Sequence, residues 1–284
     1  MIELKDVTYT YRKSVTPALS DVSAMIHPGV VLLAGENGSG KTTLLKIMGG
    51  ITHPSSGECL INGVAADSNN PADMGKTFFL EERMFFPGKT IREFASVHSR
   101  FYPNFSNENF VKALMAFGLT GDEPMKSLSL GNLKKSQLAY VLSLGVDVLL
   151  LDEPTNALDI ESKTALRRII ASSMSETQTI IVSTHTVSEL DTLFDGTIML
   201  TRSRLTYAGE ADEISSRLSF EVSRVPRQDA LYYEIQAGRV LNITPADSDR
   251  PTRVDWRLLY SALHSPVSGN IIALLNEPQT AHHE

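Results

Sequence analysis

A glycine-rich segment near the start of the chain constrains its fold more than any other feature. Residues 35–43 read Gly-Glu-Asn-Gly-Ser-Gly-Lys-Thr-Thr, which fits the spacing G-x-x-x-x-G-K-[ST] of a phosphate-binding loop. The apolar run 30–34 before it predicts a buried strand, and residues 44–48 after it predict the start of a helix. Strand, loop and helix in this order predict that the chain binds a nucleoside triphosphate. The alternative is a glycine-rich turn that happens to contain Lys-Thr.

The predicted loop supplies the groups that a phosphate chain needs. Its glycines let successive backbone N–H groups point inward, and the helix that follows adds the positive end of its dipole. We expect Lys41 to reach the β- and γ-phosphates and the Thr42 hydroxyl to hold Mg²⁺. The predicted nucleotide-binding residues of this loop are Gly35, Asn37, Gly38, Ser39, Gly40, Lys41, Thr42 and Thr43.

Composition and charge argue against several classes of function. Of the 284 residues, 42% are hydrophobic and 21% are charged, which is typical of a soluble globular protein with one large domain or a domain with an appendix. The apolar runs 146–151 and 179–182 are too short to cross a bilayer, and the first residues lack a signal-peptide pattern. A net charge of −7 argues against a nucleic-acid partner. The single cysteine, Cys59, agrees with a reducing cytosol and is expected to be buried in a strand.

Predicted strands and a hairpin turn precede a predicted helical region. Alternating apolar residues in 2–11 and 19–26 predict half-buried strands, and Asn-Gly at 62–63 predicts a hairpin turn. Thr90, with Glu93 three residues later, predicts a helix start of the capping-box type. We therefore expect an antiparallel β subdomain and a helical insert at about residues 90–145.

The second half of the chain predicts a parallel sheet. Short apolar strands at 147–151, 179–183 and 197–200 are separated by helical stretches. Strands that alternate with helices favour a parallel sheet covered on both faces. The expected fold class is α/β, a phosphate-loop NTPase fold with a mostly parallel sheet, an antiparallel β subdomain and a helical insert.

An acidic pair ends one of these strands. Residues 148–153 read Val-Leu-Leu-Leu-Asp-Glu. In phosphate-loop proteins an aspartate at this place lies beside the loop and holds Mg²⁺, so Asp152 is assigned that role. Glu153 would orient or deprotonate the attacking water, because hydrolysis needs an in-line nucleophile. The alternative is a strand that ends in an exposed acidic turn.

The order of these motifs, with three more, resembles the ATP-binding-cassette (ABC) ATPase family. The additional pieces are Leu-Ser-Leu-Gly-Asn at 128–132, Asn-Ala-Leu-Asp at 156–159, and His185 at the end of an apolar strand. On this resemblance, residues 35–42 are Walker A and residues 148–153 are Walker B. The three additional pieces correspond to the family's signature, D-loop and switch histidine.

The resemblance implies that two ATPase subunits share each ATP. Ser129 and Gly131 would then bind the γ-phosphate held by Walker A of a facing subunit, identical or related, with the helix that follows adding its N-terminal dipole. Leu130 and Asn132 stand where the family has Gly and Gln. We expect function to survive these departures because Ser129 and Gly131 remain.

Three further site residues are assigned through the resemblance. Tyr11 matches the aromatic residue that stacks on adenine; the alternative is a strand-end ring that covers the core. Glu81 stands at the Q-loop position, where most members have Gln, and its carboxylate can still ligate Mg²⁺ or order water. His185 resembles the catalytic-site residue that contacts the γ-phosphate and senses its loss.

The resemblance predicts an ABC ATPase domain at residues 1–215 and a small C-terminal α/β extension at 216–284. It implies the ATP-hydrolysing subunit of an ABC transporter, attached at the cytoplasmic face of the membrane through a transmembrane permease on a separate chain. The segments 80–83 and 101–103 look like those of bacterial drug, peptide or antibiotic exporters, so export is expected. The alternatives are an ABC ATPase that acts in assembly or regulation without transport, and a phosphate-loop kinase.

Two regions carry weaker expectations. The run Met84, Phe85 and Phe86 either lines a groove that receives the permease or packs the insert against the core. In the extension, residues 231–243 predict a hairpin around Gly238, and residues 255–260 predict a capped helix. Trp256 and Tyr260 are expected to be packing residues, and His282 and His283 are expected to lie in a solvated tail.

Overall fold

The phosphate-binding loop leaves the middle of a six-stranded sheet in the computed structural model, which describes residues 1–68, 70, 73, 75–246 and 252–276. The strands are β1 (Ile2–Tyr9), β2 (Leu19–Ile26), β3 (Gly29–Gly35), β4 (Ser56–Ile61), β5 (Val64–Ala65), β6 (Thr77–Leu80), β7 (Val148–Asp152), β8 (Thr179–Ser183), β9 (Gly196–Thr201), β10 (Arg204–Glu210), β11 (Leu218–Ser223), β12 (Tyr232–Gln236) and β13 (Arg239–Pro245). The helices are α1 (Lys41–Met48), α2 (Ile91–His98), α3 (Asn107–Ala116), α4 (Leu130–Val141), α5 (Ile160–Ser173), α6 (Ala211–Arg217), α7 (Trp256–Leu263) and α8 (Ser268–Leu275).

The central sheet brings the phosphate-binding loop and the acidic pair together at the carboxyl ends of its parallel strands. Its strand order is β10-β9-β3-β8-β7-β6, and all neighbouring strands run parallel except β10 and β9. Ser183 at the end of β8 pairs with Leu33 on one side and with Asp152 on the other. The loop after β3 therefore lies close to the acidic end of β7. The predicted parallel sheet is confirmed, whereas the antiparallel edge strand β10 was not expected.

Strand β3 shows why the central strands are apolar without alternation. Val31 and Leu33 face one cluster of buried side chains, which includes α1 and the antiparallel strands. Leu32 and Ala34 face the other cluster, which includes the helical insert and the C-terminal helices. Since both faces are covered, every position of this strand is buried.

The antiparallel subdomain is also present as expected. A sheet of order β2-β1-β4-β5 packs on the side of α1. Asn62 and Gly63 form the predicted hairpin turn, and both have positive φ values, 50° and 79°. Cys59 lies buried in β4, and burial raises the pKa of its thiol to about 12. It is therefore a packing residue, as predicted.

The helical insert consists of α2, α3 and α4. The hydroxyl of Thr90 accepts a hydrogen bond from the backbone N–H of Glu93, as the capping-box pattern predicts. Ser106 and Ser129 cap the next two helices in the same way. Tyr140 is fully buried among the aromatic rings of the insert and fixes α4 against the core.

The C-terminal part contains more structure than its sequence predicts. The expected hairpin is present as β12 and β13, and Asp255 caps α7 by accepting from the N–H of Leu258 at 2.8 Å. Strand β11 joins the hairpin to give the order β11-β13-β12. Trp256 is buried, as expected of a packing residue. His282 and His283 lie outside the described residues.

A helix that spans a membrane must be both long and strongly apolar. Within the described residues, no single helix meets both requirements. Helices α7 and α8 do so only when they are counted together across a bend of 117°.

Candidate functional site

The phosphate-binding loop folds closely around its own lysine. Gly40, which precedes α1, has a φ of 105°, and a Cβ atom there would lie 2.5 Å from the carbonyl oxygen of Ala18. Lys41 Nζ donates to the carbonyl oxygens of Gly35 at 2.8 Å and Glu36 at 3.1 Å. Burial lowers the pKa of Lys41, while Glu153 and Asp152 oppose that shift. The Lys41 ammonium group is therefore held beside the loop, whose backbone conformation at Gly40 requires glycine.

Thr42 and Asp152 connect the loop to the acidic strand. Thr42 Oγ1 donates to Asp152 Oδ2 at 2.8 Å, and Ser183 Oγ donates to the other carboxylate oxygen. Asp152 is buried at the end of β7. Two oxygen ligands therefore lie side by side at the carboxyl edge of the sheet.

Glu153 is placed by an unusual backbone conformation. Its φ is 46°, a left-handed value that non-glycine residues rarely adopt. Its N–H donates to the carbonyl oxygen of Ser183 at 3.0 Å, and Oε1 lies 2.9 Å from His185 Nδ1. Within the described part of the chain, Glu153 Oε2 is buried and has no hydrogen-bond partner. This carboxylate oxygen therefore has unused hydrogen-bonding capacity.

A cleft of about 470 Å³ contains most of the predicted site residues. Those that line it are Tyr11, Asn37, Gly38, Gly40, Lys41, Thr42, Thr43, Asp152, Glu153 and His185. Gly35 and Ser39 lie behind this surface, and a Cβ atom on Gly35 would approach the Ser39 hydroxyl to 2.4 Å. The ring of Tyr11 is about half exposed, and its hydroxyl is hydrogen-bonded to Thr43 Oγ1 at 2.9 Å.

Glu81, predicted at the Q-loop position, lies beside α1 in the structure. Its carboxylate lies 2.9 Å from Lys46 Nζ on α1, and it does not line the cleft. The next residue, Glu82, lines the cleft instead, and its Oε1 accepts from Asn156 Nδ2 at 2.9 Å. Adjacent side chains point in different directions, and the sequence Glu-Glu does not say which one faces the nucleotide.

The backbone carbonyl of Glu82 is bound by a residue that was not predicted from the sequence. Lys134, buried on α4, donates to the carbonyl oxygen of Glu82 at 2.8 Å, and Gln137 donates to that of Met84 at 2.7 Å. Burial lowers the pKa of Lys134, while the charges of Glu82, Asp152 and Glu153 raise it. Lys134 and Gln137 are three positions apart on α4 and therefore lie on one helix face, and this spacing is the sequence signal that could have indicated a common contact.

Ser129 and Gly131 lie outside the cleft. The Ser129 hydroxyl caps α4 by accepting from Asn132 N–H at 3.2 Å. A Cβ atom on Gly131 would lie 2.7 Å from the carbonyl oxygen of Ala157, so the segment before α5 passes directly against this helix start. The neighbouring Leu130 is exposed. These groups do not line the cleft around the chain's own phosphate-binding loop.

A second cavity, of about 570 Å³, lies at the opposite edge of the sheet. Its charged lining residues are mostly acidic: Asp195, Glu210, Asp212 and Glu213, together with His27. A triphosphate carries several negative charges and would be repelled there. The cleft with Lys41 and the helix N-terminus is therefore the candidate nucleotide site.

Comparison with known proteins agrees with this geometry. A family model described as ABC transporter matches residues 19–156. The energy-coupling factor transporter ATP-binding protein EcfA2 of Thermotoga maritima is 32% identical over 219 residues, 73% of this chain and 82% of that protein. The ABC transporter ATP-binding protein NatA of Bacillus subtilis is 30% identical over 227 residues, 75% of this chain and 91% of that protein.

A solved structure with the same fold was determined as a dimer. It is a post-hydrolysis state of the ATP-binding cassette MJ0796 bound to ADP and Pi, with a TM-score of 0.63 and 23% identity. The match covers 74% of this chain and 98% of that one. With relatives at this level of identity along most of their length, and with the phosphate loop, Asp152 and Glu153 assembled at one cleft, this chain belongs to the ATP-binding proteins of ABC transporters and is an ATPase.

Proposed function

We propose that this chain hydrolyses ATP to drive a separate membrane permease. The observation that carries the proposal is the group at the sheet edge: Thr42 bonded to Asp152, and Glu153 beside His185 with one carboxylate oxygen free. These are the groups that a metal-dependent phosphoryl transfer to water requires.

The donor set fits Mg²⁺. A hydroxyl and a carboxylate oxygen are the hard ligands that this ion prefers, and here they already lie 2.8 Å apart. Thr42 and Asp152 would hold the ion. When bound, it neutralises charge on the β- and γ-phosphates. Lys41 adds a second positive charge on the other side of the phosphate chain.

Glu153 is assigned the role of general base. A water oxygen attacks the γ-phosphorus, the bond to the β–γ bridging oxygen breaks, and the water proton moves to Glu153. His185, 2.9 Å from Glu153 Oε1, holds the carboxylate in place and lies at the mouth of the cleft. Glu82, and not Glu81, faces the cleft, and in this proposal the ion is held by Thr42 and Asp152 without either glutamate.

The proposed active unit is a dimer, because the chain presents half a site on its surface. Ser129 and the first turn of α4 offer an anion site that does not reach the chain's own cleft. A second ATPase subunit, identical or related, would bring its γ-phosphate to this helix start. The dimeric state of the structural relative is consistent with this arrangement.

The permease contact is proposed at Phe85. Phe86 is buried and stacks on Phe94 with a centroid distance of 4.3 Å, which supports the packing role for this residue. Met84 is partly buried against the same core. Phe85, in contrast, is 84% exposed. Within the expected groove, Phe85 is therefore the residue that has surface to offer a membrane subunit.

Transport through a permease places this chain at the cytoplasmic face of the membrane. The direction of transport stays a prediction: the sequence favours export, and the names of the two relatives do not specify it. The alternative is an ABC ATPase that acts in assembly or regulation without transport. Phosphoryl transfer to a small molecule instead of water would revive the kinase alternative.

Co-purification from the native membrane tests the proposal. A tagged chain should recover a multi-span membrane protein, and Phe85→Ala should lose it while folding and basal ATP hydrolysis stay unchanged. Ile235→Ala is the matched control, since it also removes an exposed apolar side chain but lies on β12. Recovery of only water-soluble partners would favour assembly or regulation. Unchanged recovery with Phe85→Ala would contradict the proposed contact.

A further inference from the structure

The segment that carries His185 is covered by the C-terminal part of the chain. We call residues 184–195, between β8 and β9, the switch segment; His185 is its second residue. Its apolar side chains Val187, Leu190 and Phe194 are buried in the same cluster as Trp256 of α7. The C-terminal helices therefore complete the core beneath the switch segment.

Two specific contacts fasten the switch segment from this side. Trp256 is 1% exposed, and its ring meets that of Phe194 edge to face with a centroid distance of 6.3 Å. Arg253 Nη2 donates to the carbonyl oxygen of Thr192 at 2.6 Å. The segment contains two short 3₁₀ turns, Val187–Glu189 and Asp191–Leu193. Thr192 lies in the second turn and Phe194 directly follows it, while α7 also contacts the first turn.

The switch segment and the end of α7 also contact the ATPase core directly. On the opposite side of the segment, Lys163 of α5 pairs with Glu189. At the end of α7, His264 Nε2 lies 3.3 Å from Thr201 Oγ1 of β9. Helix α7 is thus fixed to the central sheet and can hold the switch segment in one position.

His185 itself has little burial to hold it. Its side chain is 57% exposed, and its ring contacts Glu153 at 2.9 Å. Only Thr186 separates it from Val187, the first buried apolar anchor of the segment. On its other side His185 follows the buried Thr184, next to the end of β8. The backbone at His185 is therefore held by the sheet on one side and, on the other, by the part of the segment that α7 and Arg253 contact.

We propose that Arg253 and Trp256 are positioning residues for His185, so that the C-terminal extension sets the alignment of the His185–Glu153 pair. The inference rests on the proposed catalytic role of His185. It gives the extension a function in hydrolysis: it acts on the water-activating groups and not on the phosphate-binding loop.

Arg253→Ala tests this inference, with Arg257→Ala as a matched control. Arg253 lies just before α7 and Arg257 lies in its first turn, but Arg257 Nη1 contacts another part of the extension, where it donates to Glu234 at 2.8 Å. Arg253 is exposed, so its loss leaves the core packing intact. Amide hydrogen exchange in residues 186–194 should accelerate in Arg253→Ala and not in Arg257→Ala.

Kinetics should separate positioning from binding. Arg253→Ala should lower kcat about tenfold while the KM for ATP stays unchanged, because small misplacements of a catalytic group cost rate. In a His185→Ala background the same change should cause no further loss, since both act through one group. Trp256→Phe, which keeps a ring in the core, should give a smaller effect of the same kind.

Each result decides one point. Unchanged kcat in Arg253→Ala, an equal loss in Arg257→Ala, or additive losses with His185→Ala would overturn the inference. If His185→Ala alone keeps the parental kcat, the catalytic role of His185 fails instead. The exchange rates of residues 186–194 still report whether Arg253 anchors the segment in that case.

Discussion

Two helix N-termini in this protein are proposed to bind anions, and they differ in the groups that surround them. Helix α1 starts after Gly40 without a side-chain cap, and helix α4 starts after Ser129, whose hydroxyl fills that role. Each start needs a glycine because backbone passes close by: a Cβ atom would lie 2.5 Å from Ala18 O at Gly40 and 2.7 Å from Ala157 O at Gly131.

The surroundings of the two helix starts differ. The start of α1 faces Lys41, Asp152 and Glu153 across a cleft. The start of α4 faces outward beside the exposed Leu130, and its buried lysine, Lys134, points back to Glu82. The first has a cation, the Thr42–Asp152 pair proposed for Mg²⁺ and the carboxylate proposed as base, whereas the second offers N–H groups and a hydroxyl. We therefore assign the proposed chemistry to α1, and the proposed role of the α4 start is to complete a site on a second chain.

The largest expected effect concerns the base beside α1. Glu153→Gln should lower ATP hydrolysis by about 10²-fold or more, because the amide cannot accept the water proton. ATP binding should be retained, since the phosphate-binding loop is untouched. Phosphate release and equilibrium nucleotide binding would be measured in parallel. A turnover near the parental rate would remove Glu153 from the role of base.

The next effect concerns the cation at α1. Lys41→Ala should weaken ATP binding by about 2 kcal/mol, roughly 30-fold, because a charge-assisted contact to the phosphates is lost. Lys46→Ala is the control: it removes a lysine from the same helix, but one that pairs with Glu81 outside the cleft. Calorimetric titration with ATP should separate the two variants. Equal affinities would mean that Lys41 does not contact the phosphates.

A smaller effect should appear only at α4. In a Glu153→Gln background, Ser129→Ala should weaken ATP-dependent dimerisation about tenfold, because a hydroxyl donor to the facing phosphate is lost. Ser106→Ala removes the equivalent cap of α3, where Ser106 accepts from Asn109 N–H at 3.1 Å. Both variants should lose about 1 kcal/mol of folding stability. Light scattering that shows no ATP-dependent change in mass in the parent would argue against a homodimer.

The contact between Thr42 and Asp152 could be predicted from the sequence because two general rules fix it. A phosphate-binding loop follows its strand directly, and parallel strands end at the same edge of the sheet. The register of β7 and β8 then brings Asp152 to Ser183. The antiparallel subdomain and the capped helices of the insert were likewise predicted by local patterns.

The C-terminal extension was less predictable because its burial depends on distant contacts. Asn242 is fully buried in β13, where a polar side chain would normally argue against a core position. It is satisfied there because its Oδ1 accepts from Arg227 N–H at 3.1 Å and its Nδ2 donates to Ser223 Oγ at 2.9 Å. These partners lie in other segments of the chain, so no local sequence pattern predicts the burial of Asn242. The boundary at residues 215 and 216 stays a prediction.

Glu81 and Glu82 show the same limit inside the site. Strand β6 ends at Leu80, so strand alternation does not orient the two glutamates that follow. Glu81 pairs with Lys46 on α1, and Glu82 accepts from Asn156 before α5. The sequence places two carboxylates at this turn without deciding between them. In the structure Glu82, and not Glu81, lines the cleft, and substitution of each glutamate tests this difference.

The smallest expected effect distinguishes these two glutamates. Glu82→Gln should tighten ATP binding about twofold, because it removes a negative charge that faces the phosphates across solvent, worth about 0.5 kcal/mol. The Gln side chain can still accept the hydrogen bond from Asn156, so the cleft should keep its shape. Glu81→Gln should leave ATP affinity unchanged, since its charge faces Lys46. Titrations at low and high salt would check the electrostatic origin, because screening should reduce the difference. If Glu81→Gln produced the larger change instead, Glu81 would turn into the cleft when the nucleotide binds, and Lys46 on α1 would lose its ion pair with Glu81.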